Sequence, residues 1–96
     1  MAAKFLINHG VLLMGNVDYH YKLIDPRKEN NVSGGGRFYV DRKTNTIYFF
    51  GKSEEFGRTT QANFDAAIKS NEVERMNIVF SYEDSLEKLL PEICNK

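Results

Sequence analysis

Ninety-six residues are enough for one domain built on one hydrophobic core. The chain is 42% hydrophobic and 27% charged, with seven Phe and five Tyr, a globular rather than a disordered composition. Thirteen basic side chains cancel thirteen acidic ones, so no overall field draws the protein to nucleic acid or to an anionic membrane, and any anion selectivity must be local.

Lys4 to Asn8 and Val11 to Met14 are rich in Leu, Ile, Val and Phe, with Gly10 and Gly15 as punctuation. This predicts an opening strand that stops at a glycine turn. Lys4, Asn8 and His9 interrupt the apolar run, which argues for a strand rather than a signal peptide, and no segment approaches the roughly 18 apolar residues of a membrane span. From Asn16 the spacing changes. Val17, Tyr21 and Ile24, with Leu23 beside them, predict a short helix over Val17 to Asp25, capped by Asn16 or Asp18 and ended by Pro26.

Pro26 to Ser33 is the most polar stretch and reads as a solvated loop leading into Gly34-Gly35-Gly36. Arg37 to Asp41 and Thr46 to Phe50 alternate as strands do, with a turn-like Arg42-Lys43-Thr44-Asn45 between them, so a β-hairpin is expected. Bulky residues on both faces of Thr46 to Phe50 mark it as a central, covered strand. Past Gly57, Thr59 or Thr60 caps a helix running to Ser70, with Phe64, Ala67 and Ile68 as its apolar stripe. Met76 to Phe80 is the next strand. Ser81 opens a Ser-x-x-Asp84 box before Leu86, Leu89, Leu90 and Ile93, with Pro91 bending or ending that last helix. The order β, α, β, β, α, β, α predicts a single α/β (α+β) domain over residues 1–96, one sheet with helices packed on it. Cys94, the only cysteine, has no partner in the chain for a disulfide or a cysteine metal cluster; it suits a reducing compartment, and a cytoplasmic protein is expected.

Candidate chemistry gathers at few places. Neither His9 nor His20 has an acidic residue at metal-ligand spacing, so no metal site is expected. A neutral His20 imidazole, in Asp18-Tyr19-His20-Tyr21, is suited to general-base or nucleophilic work, or is simply a partly exposed helix residue. Arg37, directly after three glycines, offers a guanidinium fork to phosphate or carboxylate, or lies on a strand surface. Gly51 to Gly57 lies between a strand and a helix, where Ser53 and the amides of Glu54 and Glu55 can cradle an anion. It lacks the spacing and lysine of a nucleotide triphosphate loop.

Taken together, Gly34-Gly35-Gly36-Arg37, the short hairpin, Gly51-Lys52-Ser53-Glu54-Glu55-Phe56-Gly57, the helix and the hydrophobic strand resemble the janus/ocnus family of phosphohistidine phosphatase-like proteins. Lys4-Phe5-Leu6-Ile7 looks like that family's first strand with its lysine, and Tyr19-His20-Tyr21-Lys22-Leu23 like its segment carrying the catalytic histidine; roughly Lys4 to Phe80 is covered. The resemblance implies a single mixed β-sheet with helices on both faces and metal-independent hydrolysis of a phosphoramidate, phosphohistidine or phospholysine, with no cofactor. His20 would be the base or take a direct part in phosphoryl transfer, with His9 as its rival. Lys4 and Arg37 would contact the phosphoryl oxygens, Ser53 with the backbone of Glu54 and Glu55 would form the cradle, and Gly34, Gly35, Gly36, Gly51 and Gly57 would shape the loops. The expected partner is a phosphorylated protein or a small phosphoramidate. Met14-Gly15 stands where the family's phosphatases carry an arginine, and Glu54 and Glu55 stand where its animal enzymes are uncharged. A carboxylate beside a phosphate opposes binding by about 1 kcal/mol even in water-like screening, which Lys52 and Arg58 are placed to offset. The alternative is a non-catalytic module that holds an anion or a partner protein on the same scaffold.

Overall fold

The computed structural model describes residues 2–69 and 75–90. Along the chain come β1 (Ala2–Asn8), β2 (Val11–Val17), a 3-10 helix (His20–Leu23), β3 (Val32–Asp41), β4 (Thr46–Phe50), α1 (Gln61–Lys69), β5 (Asn77–Phe80) and α2 (Leu86–Leu89). The strands form one five-stranded mixed sheet in the order β2-β1-β3-β4-β5, antiparallel except for β4 with β5. This is a small α+β domain with few helices. Among the described residues α1 is the only α-helix longer than about one turn.

The opening differs from the single strand expected there. Lys4 to Asn8 and Val11 to Met14 belong to two strands of a hairpin, joined by His9 (φ 52°) and Gly10 (φ 74°). Left-handed backbone at both central positions is what a two-residue turn needs to follow the twist of its strands. Gly15 does not end a strand but pairs with Lys4 inside β2. A Cβ at Gly15 would lie 3.1 Å from the Leu23 side chain, so its bareness makes room for the 3-10 helix. The predicted helix over Val17 to Asp25 shrinks to His20–Leu23 because Val17 is taken by β2, opposite Ala2. Tyr19 and Ile24 on either side are extended, and Pro26 disfavours helical backbone at Asp25.

The three glycines are not a loop. Gly34, Gly35 and Gly36 are buried within β3. A Cβ at Gly35 would come 2.3 Å from the Phe5 carbonyl oxygen, and one at Gly36 2.3 Å from that of Phe50. The hairpin of β3 and β4 forms as expected, pairing Arg37 with Phe50 and Asp41 with Thr46. β4 is central, with Ile47, Phe49 and Phe50 buried.

Helix α1 starts after Thr60, whose hydroxyl accepts the Asn63 amide hydrogen at 3.1 Å. Its predicted end at Ser70 lies outside the described residues. The cap of α2 is Ser85, which accepts from the Lys88 amide, while the Ser81 hydroxyl accepts from Glu83 in a preceding turn. Pro91, Ile93 and Cys94 lie outside the described residues. Strand alternation then sorts the side chains. Phe5, Ile7, Leu12, Ile47 and Phe49 share a face and pack with Phe64 and Ala67 of α1. Phe49 meets Phe5 edge-on at 5.2 Å and Phe64 at 4.8 Å, contacts worth about 0.5–1.5 kcal/mol each beyond the area they bury. The other face of the same strands carries Lys4, Leu6, Arg37 and Phe50.

Candidate functional site

Antiparallel pairing of β1 with β3 sets Lys4 directly opposite Arg37, so two cations stand side by side on the face away from the aromatic core. They line a cleft of about 480 Å³ with His20 from the 3-10 helix and with Lys52, Glu54 and Glu55 from the loop after β4.

His20 is 4% exposed. Its Nε2 lies 2.7 Å from the Gly36 carbonyl oxygen. A carbonyl only accepts, so Nε2 carries the hydrogen and the neutral ring keeps its lone pair on Nδ1. Nδ1 is 3.9 Å from a Glu55 carboxylate oxygen. Burial holds the His20 pKa below the ordinary 6.5, and the charges of Lys4 and Arg37 push the same way, while the Gly36 bond and Glu55 oppose them. The imidazole is therefore neutral at pH 7.

The charges around the cleft are unevenly paired. Lys4 Nζ donates to the Asp18 carbonyl at 2.6 Å and lies 6.0 Å from the centre of the Tyr19 ring. Arg37 and Lys52 make no side-chain hydrogen bond or ion pair among the described residues. Of the cleft's carboxylates, Asp18 lies 3.8 Å from Lys22, Asp84 is bound by Arg58, and Glu55 accepts from the His20 amide at 2.9 Å and the Tyr21 amide at 3.1 Å. Glu54 alone has no partner among the described residues. Cations thus outnumber unpaired carboxylates at the floor of a neutral protein.

Of the residues singled out in the sequence, Lys4, His20, Arg37, Glu54, Glu55 and Gly51 come together at the cleft. Ser53 does not. It is 1% exposed; its hydroxyl accepts the Phe56 amide hydrogen at 3.1 Å, and its backbone bonds Gly57 in both directions. Ser53 thus closes the loop on itself, and the cleft-facing part of that loop is Gly51, Lys52, Glu54 and Glu55. Arg58, expected to offset the loop glutamates, instead binds the Tyr82 carbonyl and the Asp84 carboxylate. His9 lies in the β1–β2 turn with its ring on the Glu29 carbonyl at 2.8 Å, outside the cleft. Gly34, Gly35 and Gly36 contribute as strand backbone, with the Gly36 carbonyl holding the histidine.

Sequence reasoning missed Tyr19, exposed at the cleft and stacked on Tyr21 at 5.5 Å, and the Asp18 carbonyl that fixes Lys4. Aromatic residues on both sides of His20 were the only signal available. Among the described residues no three His, Cys, Asp or Glu side chains gather as metal ligands, and no helix is long and apolar enough to cross a membrane. No family model matches the chain, and no curated protein matches it.

Proposed function

We propose that the protein hydrolyses the P–N bond of a phosphoramidate, phosphohistidine or phospholysine, without a metal and with His20 as the base. The observation that carries this reading is the His20 ring: buried, held neutral, tied through Nε2 to Gly36, and leaving Nδ1 as a free base beside Lys4 and Arg37. The reading takes with it the janus/ocnus architecture, a mixed sheet covered by helices on both faces. The substrate is a phosphorylated protein or a small phosphoramidate, met in the cytoplasm.

In this mechanism Arg37 and Lys4 bind the phosphoryl oxygens and stabilise charge that spreads over them in the transition state. Nδ1 takes a proton from water as the water oxygen bonds to phosphorus. The P–N bond breaks with its electron pair going to nitrogen, which a solvent proton neutralises. Positioning and charge stabilisation carry most of such a reaction, so no cofactor is needed. Direct attack of Nδ1 on phosphorus, followed by hydrolysis, uses the same nitrogen.

The test is turnover of phosphohistidine, phospholysine and phosphoramidate in the presence of a chelator. Release of inorganic phosphate is expected, and His20→Ala should lower it about 10²- to 10⁴-fold, the usual contribution of a positioned base. Undiminished hydrolysis in that variant removes His20 from the mechanism. Arg37 and Lys52, which line the cleft without a side-chain partner among the described residues, favour a second reading, an anion-binding module without turnover. Amide shifts at Arg37 and Gly51–Gly57 on titration with phosphate, with no hydrolysis, would select it.

A further inference from the structure

Glu55 does something different from what its place in a cradle would suggest. Its carboxylate reaches from the loop after β4 to the start of the 3-10 helix. One oxygen accepts from the backbone amide of His20 at 2.9 Å, the other from that of Tyr21 at 3.1 Å. Tyr19, at the cap position of this short helix, makes no side-chain hydrogen bond to it. The free amides at a helix start need acceptors, and here they are supplied by a residue 34 and 35 positions away. The first of the two oxygens also lies 3.9 Å from Nδ1 of the same histidine.

We infer that Glu55 is the positioning residue of this site: by binding both amides it fixes the 3-10 helix against the loop and so sets where Nδ1 stands relative to Arg37 and Lys4. The Gly36 carbonyl holds one end of the ring and Glu55 holds the backbone from which the ring hangs. Two anchors on different elements thus define the ring's place. The carboxylate also faces Nδ1 when that nitrogen gains a proton, and offsets the two cations that disfavour the protonated ring. Its place among the cleft residues therefore need not oppose an anionic ligand as an unpaired carboxylate would, because its oxygens are engaged with N–H donors. Any effect on rate rests on the hydrolase reading above; the hold on His20 does not.

The experiment compares wild type with Glu55→Gln and Glu55→Asp by NMR, following the His20 ring through a pH titration and the amides of His20 and Tyr21, and measures P–N hydrolysis alongside. The charges facing the ring are Lys4 on β1, Arg37 on β3 and Glu55 on the loop. Glu55→Gln is nearly isosteric, offers one acceptor in place of two and removes the negative charge. It should move the His20 titration to lower pH and shift both amides, with kcat falling on the order of 10²-fold, as for a reacting group misplaced by about 1 Å, and KM changing little. Glu55→Asp keeps the charge but is one methylene too short for both amides, so its titration should stay closer to wild type while kcat still falls. An unchanged His20 titration with wild-type His20 and Tyr21 amide shifts in Glu55→Gln overturns the inference, whatever happens to global stability. If wild type shows no turnover, the hydrolase reading fails and the NMR arm still decides whether Glu55 holds the histidine.

Discussion

The two faces of the sheet are made by the same strands and do opposite things. On one, Phe5 and Phe49 close on Phe64 of α1 in a dry aromatic core. On the other, their chain neighbours Lys4 and Phe50 flank Arg37, and Lys4 and Arg37 line the cleft. Period-two alternation makes this division: one step along β1, from Phe5 to Lys4, moves from a buried core position to one that lines the cleft. The difference teaches that stability and function should come apart under mutation even between adjacent residues, and the Gly36 backbone is where they meet, packed under Phe50 and bonded to His20.

The sharpest break of that comparison is a pair of truncations. His20→Ala should lose about 10²- to 10⁴-fold in P–N hydrolysis. Its folding cost should stay near the roughly 1–3 kcal/mol of leaving the Gly36 carbonyl unsatisfied. Phe49→Ala should do the reverse, losing about 3–5 kcal/mol of stability in urea unfolding while the fraction that remains folded keeps its kcat. Equal stability losses in the two variants, or a lost kcat in folded Phe49→Ala, would mean that the faces are not separable.

The aromatic face was readable from the sequence and the cleft face only in part. Thr46 to Phe50 alternates between apolar rows, and Phe64, Ala67 and Ile68 repeat at helical spacing, so β4 and α1 follow from local pattern. Gly34-Gly35-Gly36 misleads because glycine runs usually mark turns, whereas here they let β3 approach the Phe5 and Phe50 carbonyls. Val17, Tyr21 and Ile24 mimic a helix, but pairing of Val17 with Ala2 across the sheet wins over spacing. His20, Lys4 and Arg37 were found by residue type and resemblance. The inward Ser53 hydroxyl and the Glu55 cap were not, because the first depends on how the loop closes on its own Phe56 amide and the second on how that loop meets a segment more than thirty residues away.

Gly36→Ala tests the shared backbone. A methyl group there would lie 2.3 Å from the Phe50 carbonyl oxygen and 2.9 Å from the Phe5 ring, and backbone has little room to give. About 1–3 kcal/mol of destabilisation is expected from the overpacking. Because the same residue's carbonyl holds Nε2, the His20 ring titration should change as well. A stability loss with an unaltered His20 titration would show that the two faces do not communicate through this strand.

The smallest expected effect is a pH dependence that belongs to the cleft face alone. Burial holds folded His20 below 6.5, the value the unfolded chain approaches. Above 6.5 both states are neutral at this residue and its contribution to stability is fully present. Below 6.5 the unfolded chain takes up a proton that the folded ring refuses, so stability falls with pH until the folded pKa is passed, then levels off. Subtracting the urea-midpoint profile of His20→Gln from that of wild type should isolate this slope, positive with pH and confined to the region below 6.5, whereas the same subtraction for Phe49→Leu should give a flat line. The acid limb of kcat/KM reports the same group in the free protein and should likewise fall below 6.5. A limb centred above 6.5 would assign the base to a group that burial does not hold neutral, and the catalytic role would pass from His20 to another residue of the cleft.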